Sequence, residues 1–403
     1  MKLELHILQN FAPSNLNRDD TGAPKDCEFG GVRRARISSQ CLKRAVRAAF
    51  STHGLIPAAD MAARTKRLVE QVVLRLTAAN GRPEQQAAQL AKTLIEGGGF
   101  KIDDEARTEY LLFLPRRHIE GLADLIQKNW DILAALTPNE SEAPAPSDNA
   151  ADKSKPRRTK RQEKADTKAA FPRDLGKEVA KVLADGERSP DLALFGRMIA
   201  DHPDWNVDAA CQVAHAISTN RVGMEFDFYT AVDDFRGENT HASDMMGTIA
   251  FNSACFYRYS VLDLTGLEKN LNVTEKGDLR KTVEGFLRAA VLAIPTGKQN
   301  SMAAQNLPSY VLAVVRPVGA PLSLANAFLK PVRPNGDQDL VDVSIARLEG
   351  YLQRMSGMYG ASGVTAVACA DRVTAAPSPE IAISRQATMD GLVAATLAAA
   401  MPS

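Results

Sequence analysis

Residues 25–45 read KDCEFGGVRRARISSQCLKRA, and this stretch decides how the rest of the chain is interpreted. Ser39 is a good N-cap, which predicts a helix over residues 40–50. Apolar residues form one stripe along that helix, while its cations cluster on another side, at Lys43, Arg44 and Arg47. One face of the helix therefore packs, and the other meets solvent or a ligand.

The charge around this helix is one-sided. Residues 29–59 contain no Asp or Glu, yet they carry six cations: Arg33, Arg34, Arg36, Lys43, Arg44 and Arg47. A solvated basic helix face is the ordinary explanation of such a run. Three of these cations, however, precede a helix N-terminus, where cations are unfavourable unless an anion binds. We therefore expect a surface that attracts phosphate.

On the N-terminal side, residues 1–9 alternate apolar and polar side chains, which predicts a strand and not a signal peptide. Residues 10–31 have the Asn, Asp, Gly and Pro content of a loop long enough to suspect a function. Asp19, Asp20 and Asp26 in this loop could hold a divalent metal for phosphodiester cleavage. The alternative is turn chemistry and salt bridges, because no further ligand stands at a recognisable spacing.

On the C-terminal side, amphipathic helices are predicted over residues 58–79, 83–96 and 116–136. Residues 137–172 lose their large apolar residues and fill with Pro, Ser, Ala and charge, which predicts a disordered loop. Further strands are predicted over residues 211–218, 250–264 and 310–316, and further helices over residues 283–294 and 323–329. Strands thus lie at both ends, with helices inserted between them, and the fold class is α+β.

Composition excludes several classes of protein. The 403 residues are 45% hydrophobic with a net charge of +1, and no stretch is long and apolar enough to span a membrane, so we expect a globular protein. The five cysteines are odd in number and form no C-x-x-C pair, which argues against a disulfide framework and leads us to expect a reducing, cytoplasmic setting; the six histidines form no metal motif. Residues 295–300, PTGKQN, lack the spacing of a phosphate-binding P-loop, although Lys298 could contact a phosphate by itself. We expect no cofactor, no metal and no catalysis.

Residues 225–234 read EFDFYTAVDD, where apolar and acidic residues alternate as in an edge hairpin. Phe226, Phe228 and Tyr229 lie beside charge and could stack on bases. Packing into a core is the ordinary alternative, but the flanking acids make deep burial unfavourable. Tyr257 and Tyr259 could likewise either stack on bases or pack into a core.

The run SxLNRDD at residues 14–20, followed by the stretch at residues 25–45, resembles the CasC family, the CRISPR RNA-binding backbone subunits of type I-E CRISPR Cascade complexes. The likeness continues in short collinear motifs: GRM at 196–198, AHAI at 214–217, FYTAVDD at 228–234, FYRY at 256–259, GKQ at 297–299 and LANAF at 324–328. Collinear matches from end to end are highly specific.

This resemblance implies a hand-like protein. A ferredoxin-like palm, related to the RNA-recognition fold, would comprise residues 1–57 and 205–403, with helical fingers inserted over residues 58–204 and a β-hairpin thumb near residues 219–249. Family members form a helical filament on guide crRNA, and each thumb reaches the next protomer and displaces one base. The guide then pairs with target DNA in antiviral defence. The implied partners are guide crRNA, target DNA, further copies of the chain and other Cascade subunits.

Carried over by position, one set of residues would grip RNA phosphates and sugars: Arg18, Lys25, Ser38, Gln40, Lys43, Arg44 and Arg47, supported by Lys298 and Gln299. Met198, Phe228 and Tyr229 would wedge the displaced base. Such backbone contacts tolerate any guide sequence, while base pairing supplies the specificity. The chain departs from the family in its low-complexity stretch over residues 137–172, which exceeds what the family leads us to expect, and in having Phe-Tyr where Trp-Phe is expected in the thumb.

Two other functions remain open from the sequence. Related backbone subunits of type III CRISPR complexes cut target RNA with an Asp in the loop after the first strand, so the loop with Asp19, Asp20 and Asp26 also fits a metal-dependent ribonuclease. A structural protein whose basic helix docks on an acidic subunit is the third possibility.

Overall fold

The computed structural model describes residues 1–136, 171–184, 189–199, 203–231, 245–272, 276–372 and 381–402. The chain forms two compact units, one of Met1–Pro57 with Ala209–Ser403 and one of Ala58–Asp208. Two sequence predictions fall largely or partly outside the described residues: the disordered loop over residues 137–172, and residues 232–244 of the hairpin over residues 219–249. In the part of the chain that is described, no helix combines the length and apolar character of a membrane span.

The strands are β1 (Lys2–Ser14), β2 (Asp26–Phe29), β3 (Val32–Ile37), β4 (Ala62–Thr65), β5 (Leu112–Pro115), β6 (Cys211–Val213), β7 (Ala216–Ser218), β8 (Glu225–Ala231), β9 (Met245–Asp263), β10 (Tyr310–Arg316), β11 (Thr365–Ala370) and β12 (Ile383–Gln386).

The α-helices are α1 (Ser39–Thr52), α2 (Leu68–Asn80), α3 (Glu84–Gly97), α4 (Arg116–Lys128), α5 (Trp130–Leu136), α6 (Arg173–Ala184), α7 (Pro190–Phe195), α8 (Leu264–Leu271), α9 (Lys276–Leu292), α10 (Gln299–Met302), α11 (Leu340–Tyr359) and α12 (Met389–Ala400). Short 3-10 helices cover Ala58–Asp60, Pro203–Trp205 and Ala325–Phe328. The α+β class predicted from the sequence is confirmed.

The first unit is built on one sheet in the order β12-β11-β10-β1-β9-β7-β3-β2, and β6 and β8 also pair with β9. The pairing is antiparallel except between β11 and β12. Strand β1 lies between β10 and β9, so its backbone groups are paired on both sides. The predicted first strand is therefore confirmed, and it is longer than the alternating residues 1–9 indicated.

Both faces of β1 are covered. On one face Leu5 and Ile7 lie against α1 and α9, and on the other Leu8 packs with Phe328 and α11. Residues 3–9 are all buried as a result, including the polar positions of the alternating pattern. The Glu4 carboxylate accepts hydrogen bonds from Arg316 Nε at 2.7 Å and from the Leu322 amide at 2.9 Å, which compensates for its burial.

The second unit is a cluster of helices α2 to α6 around a buried apolar core, with the small sheet β4-β5. The helix predicted over residues 83–96 is confirmed as α3. The helix predicted over residues 58–79 is wrong in its first part, because residues 62–65 form β4 and pair with β5, a partner far along the chain. The helix predicted over residues 116–136 is two helices, interrupted at Asn129, whose side chain donates to the Leu125 carbonyl at 2.9 Å.

Candidate nucleic-acid interface

Helix α1 begins one residue earlier than the sequence indicated, because the N-cap is Ser38 and not Ser39. The Ser38 hydroxyl accepts a hydrogen bond from the Cys41 amide at 3.3 Å, and the Ser38 amide donates to Asn17 Oδ1 at 2.8 Å. The first turn contains no acidic residue. The start of α1 is thus a fixed helix N-terminus with a positive dipole end and no carboxylate of its own.

Asn17 also holds the preceding loop against this helix start. Its carbonyl accepts the Lys25 amide at 2.8 Å, and the Lys25 carbonyl accepts the Arg36 amide at 2.9 Å. Arg18 pairs through its backbone with Pro24 across the loop and is exposed, while Lys25 is half-buried. Arg18 and Lys25 therefore belong to the same loop that anchors the N-cap of α1.

The PTGKQN segment, residues 295–300, packs against the same loop at Leu16. A Cβ atom on Gly297 would lie 2.4 Å from the Leu16 carbonyl oxygen, so only glycine allows this approach. Cys41 Sγ lies 4.0 Å from that same oxygen. Lys298 follows with a left-handed φ of +51°, a conformation that non-glycine residues rarely adopt and that is concentrated at functional sites.

The Gln299 side chain forms its hydrogen bonds to the backbone around this turn. Its Nε2 donates to the Pro295 carbonyl at 3.0 Å and to the Ala304 carbonyl at 3.2 Å. Its amide N–H groups therefore shape the turn that presents Lys298. The segment contributes one cation to the region where the N-terminal loop meets α1.

The remaining predicted contacts lie along α1. Gln40 and Arg44 are exposed, and Lys43 and Arg47 are partly exposed. Residues three or four positions apart share a face of a helix, so these side chains continue outward from the N-cap along one side. The structure brings together nine of the predicted RNA-contacting residues: Arg18, Lys25, Ser38, Gln40, Lys43, Arg44, Arg47, Lys298 and Gln299.

Arg34 does not belong to this basic surface, although the acid-free run included it. It is 0% exposed. Its guanidinium donates to the carbonyls of Ser218, Thr219 and Phe328 at 2.7–3.1 Å, and burial lowers its pKa. Arg34 therefore joins β3 to segments distant in sequence, and it is not one of the cations that the acid-free run offers to phosphate.

The acidic loop residues are engaged in local contacts. The Asp19 carboxylate accepts hydrogen bonds from the Thr21 amide, the Thr21 hydroxyl and the Ala23 amide at 2.8–2.9 Å, and the hydroxyl bond lowers the pKa of Asp19. Asp26 forms an ion pair with Arg33 at 2.6 Å. Within the described ranges, no group of three His, Cys, Asp or Glu side chains is placed to hold a metal ion. Asp19 therefore stabilises a turn within this loop, and Asp26 forms an ion pair.

The predicted hairpin is present as β8 paired with the first part of β9. Phe226 and Phe228 lie on one face and are 68% and 64% exposed, so they are not core residues. Tyr229 projects from the opposite face, because side chains alternate along a strand. Its ring covers Gly247, where a Cβ atom would lie 2.4 Å from the tyrosine hydroxyl. Phe228 and Tyr229 therefore lie on different faces of the hairpin, and the expectation that they wedge the displaced base with Met198 stays a prediction.

Phe226 was predicted from the alternating pattern as a residue that could stack on bases, and it is the same-face neighbour of Phe228. Tyr257, by contrast, is a core residue. Its hydroxyl accepts a hydrogen bond from the Leu324 amide at 2.9 Å and shares another with His6 Nδ1 at 2.9 Å. Tyr259 stacks on His6 in the same cluster, with ring centroids 4.9 Å apart.

Met198 lies in the second unit and is 86% exposed. The preceding Arg197 is buried and donates to the Trp205 carbonyl through Nε at 2.9 Å and Nη2 at 2.6 Å. Burial lowers the pKa of Arg197 to about 10. The following Ile199 amide donates to Asn206 Oδ1 at 2.6 Å. An apolar side chain is thus held in solvent on a backbone that is fixed on both sides, and sequence reasoning missed the role of Arg197.

The comparisons with known proteins agree with one another. The family model described as CT1975-like protein matches residues 3–395. A chain of a solved "CRISPR RNA-guided surveillance complex, pre-nicking" is 29% identical, with a TM-score of 0.82 and coverage of 100% of both chains. A chain of another "CRISPR RNA-guided surveillance complex" is 25% identical, with a TM-score of 0.72 over 99% of this chain and 100% of that chain. No curated protein matched the sequence.

Proposed function

The chain belongs to the CT1975-like protein family, and on that basis we propose that it is a backbone subunit of a type I-E CRISPR Cascade complex that binds guide crRNA. Its relatives of known structure are chains of CRISPR RNA-guided surveillance complexes. In this role the chain binds RNA without sequence preference and performs no catalysis. Its partners are guide crRNA, further copies of itself, target DNA and other Cascade subunits in the cytoplasm.

The observation that carries this proposal is the surface around the N-terminus of α1. A helix N-terminus without acidic residues, an exposed arginine on the adjoining loop and Lys298 on a constrained turn converge there. Backbone N–H groups and cations together bind phosphate oxygens. The cations of α1 extend this surface, so that it can contact several successive phosphates of a single-stranded nucleic acid.

The strand order supports a ferredoxin-like palm. The four strands β10-β1-β9-β7 are antiparallel neighbours in the sheet, α1 follows β1 after the β2-β3 excursion, and α9 follows β9. Both helices cover the same face of β1. The opposite face, which carries His6 and Tyr257, is covered by Phe328 and α11. RNA contact is therefore assigned to the loops and helix start beside the sheet and not to the sheet face.

Base displacement is assigned to Tyr229 and Met198. Tyr229 is a single ring braced against Gly247, and Met198 is exposed on a backbone that the contacts of Arg197 and Ile199 hold in place. A braced ring can insert beside a base without a large entropic cost. Displacement of one base per subunit leaves the intervening guide bases free to pair with target DNA. The ribonuclease alternative is not favoured, because Asp19 and Asp26 are engaged in contacts within their own loop and with Arg33.

The test is the salt dependence of binding to two single-stranded RNAs of equal length and unrelated sequence. We expect Lys43→Glu with Arg47→Glu to weaken both equally, and to reduce the log–log salt slope by about 0.7 for each phosphate that the variant no longer neutralises. Lys330→Glu with Arg333→Glu is the matched control, because both side chains are exposed on another part of the same unit. An unchanged slope in the first variant, or an equal reduction in the control, would contradict the assignment.

A further inference from the structure

His215 lies in the short connection between β6 and β7, outside the set of predicted RNA contacts. Its backbone is fixed on both sides, because the Ala214 amide donates to the Tyr259 carbonyl at 2.9 Å and Ala216 begins β7, which pairs with β3. The ring is exposed, and its Nδ1 lies 3.1 Å from Arg36 Nη1. An exposed histidine is therefore held beside an arginine that lies just before the start of α1.

The Arg36 contact determines which ring nitrogen of His215 carries the proton. A guanidinium donates hydrogen bonds and accepts none, so Nδ1 is the acceptor in this contact. The proton of the neutral ring is then on Nε2. Arg36 is itself oriented, since its Nε donates to the Asp26 carbonyl at 3.0 Å. The His215 ring therefore presents an N–H donor on the side away from Arg36.

Lys25 lies beside this pair. Its carbonyl accepts the Arg36 amide at 2.9 Å, which continues the pairing of β2 with β3 by one residue. Residues opposite each other on neighbouring strands have their side chains on the same face. The Asp26 side chain projects from the other face, because side chains alternate along a strand, and it forms its ion pair with Arg33. In the described part of the chain, the charges that act on the His215 ring are both positive.

These surroundings favour the neutral form of the His215 ring as long as no anion is bound. Burial lowers the pKa of His215, and the charges of Arg36 and Lys25 lower it further. Tyr259 on β9 adds no charge, because burial raises the pKa of its hydroxyl. Protonation would also break the Arg36 contact, since Nδ1 would become a donor facing another donor. A histidine whose neighbours are cations gains a proton when a negative charge arrives.

The cluster of Lys25, Arg36 and His215 adjoins the N-terminus of α1. Arg36 is two residues before the N-cap Ser38. Lys25 acts on both places, because burial raises the pKa of the Cys41 thiol in the first turn of α1 and the Lys25 charge opposes that rise. Neighbouring phosphates of one strand can therefore bind at the helix N-terminus and at the cluster.

We propose that Lys25, Arg36 and His215 bind one phosphate of the RNA, and that His215 takes up a proton from water as this phosphate binds. The inference rests on the proposed function and deepens it, because it makes guide binding depend on pH. An opposite charge about 4–6 Å away changes the affinity of a group for its proton about tenfold or more. Linkage is reciprocal, so protonation of His215 strengthens phosphate binding by the same factor.

The test is the affinity for one single-stranded RNA, measured at constant salt between about pH 8 and about pH 6. We expect the wild type to bind about tenfold more tightly at the lower pH. His215→Gln keeps an N–H donor at the position of Nε2 but takes up no proton, so its affinity should change by about twofold or less. His53→Gln is the matched control, because His53 is exposed at the other end of α1, and it should keep the wild-type dependence.

A second measurement follows the His215 ring itself. Proton NMR gives the pKa of this ring, and the absence of its signal in His215→Gln identifies it. We expect a pKa below the ordinary histidine value in the free protein and above that value in the RNA complex. Arg36→Met should raise the pKa in the free protein, because it removes both a positive charge and the donor to Nδ1.

The outcomes separate the inference from the proposed function. If RNA binds but His215→Gln keeps the full pH dependence, or the ring pKa is the same with and without RNA, the inference is wrong and the proposed function stands. If no RNA binds at any pH, both fail. If the ring pKa rises in an assembled complex whose RNA has been removed by nuclease, a protein carboxylate is the partner of His215, and the inference is overturned.

Discussion

Replacing Phe228 with Ala tests whether the hairpin is a surface feature. The ring is 64% exposed and lies opposite Thr248. Full burial of a Phe side chain contributes about 1.5–3 kcal/mol, so the covered third contributes about 0.5–1 kcal/mol. Truncation at a surface leaves no interior cavity. We therefore expect the free energy of unfolding, measured by urea denaturation without RNA, to fall by about 1 kcal/mol or less.

Tyr257→Ala is the buried control. This ring is almost fully covered, and its hydroxyl bonds both His6 and the Leu324 amide. Truncation of a core aromatic costs about 3–5 kcal/mol, and the two polar partners are left without their hydrogen bonds. If Phe228→Ala destabilised the RNA-free protein as much as Tyr257→Ala, Phe228 would be a core residue and the account of the hairpin would fail.

With RNA bound, the opposite face of the hairpin gives the second readout. Tyr229→Ala should leave a fold close to wild type and should cost about 1–3 kcal/mol of stacking per displaced base. The guide should then lose regularly spaced base reactivity to chemical probing. Persistence of that pattern in Tyr229→Ala would mean that another side chain displaces the base.

Three further predictions concern the scaffold. Arg34→Met should lower the free energy of unfolding by about 3–5 kcal/mol, because it leaves several buried carbonyls unpaired, whereas exposed Arg33→Met should change it by about 1 kcal/mol or less in the same urea titration. Gly297→Ala should weaken RNA binding in a filter assay, because its Cβ atom meets the Leu16 carbonyl oxygen and displaces Lys298, while Gly277→Ala, with open space around it, should not. Burial lowers the pKa of His6. As the pH falls, the His6 side chain is therefore protonated at a higher pH in the unfolded chain than in the folded protein. Stability should therefore fall as the pH drops below about 6.5, and His6→Gln should flatten that fall in urea denaturation at a series of pH values.

The sequence predicted those helices and strands that are determined by neighbouring residues, and missed those that depend on contacts with distant ones. The strand over residues 310–316 matches β10 residue for residue, because a short apolar run rich in valine is typical of a buried strand. Residues 62–65 instead pair with β5, about fifty residues away, and no local pattern contains that information. The helix predicted over residues 323–329 is only a 3-10 turn over Ala325–Phe328, since its residues pack beneath the sheet face instead of continuing a helix.

The residues of the candidate site likewise divide into those that the local sequence predicts and those whose role depends on the tertiary fold. The cations of α1 and the N-cap region could be predicted because helix periodicity places them on one face. Arg34 could not be separated from its neighbours by sequence, because its burial depends on the carbonyls of Ser218 and Phe328, which only the tertiary fold brings near. The convergence of Gly297 on Leu16 is equally invisible, since it joins segments some 280 residues apart.

The nucleic acid that accompanies the purified complex tests the central claim most directly. Extraction, nuclease treatment and sequencing give its type, length and sequence in one experiment. We expect single-stranded RNA of uniform length with many different guide sequences, because the basic surface around α1 contacts the backbone and ignores the bases. Recovery of no nucleic acid, or of double-stranded DNA, or of RNA with one shared sequence throughout, would contradict the account.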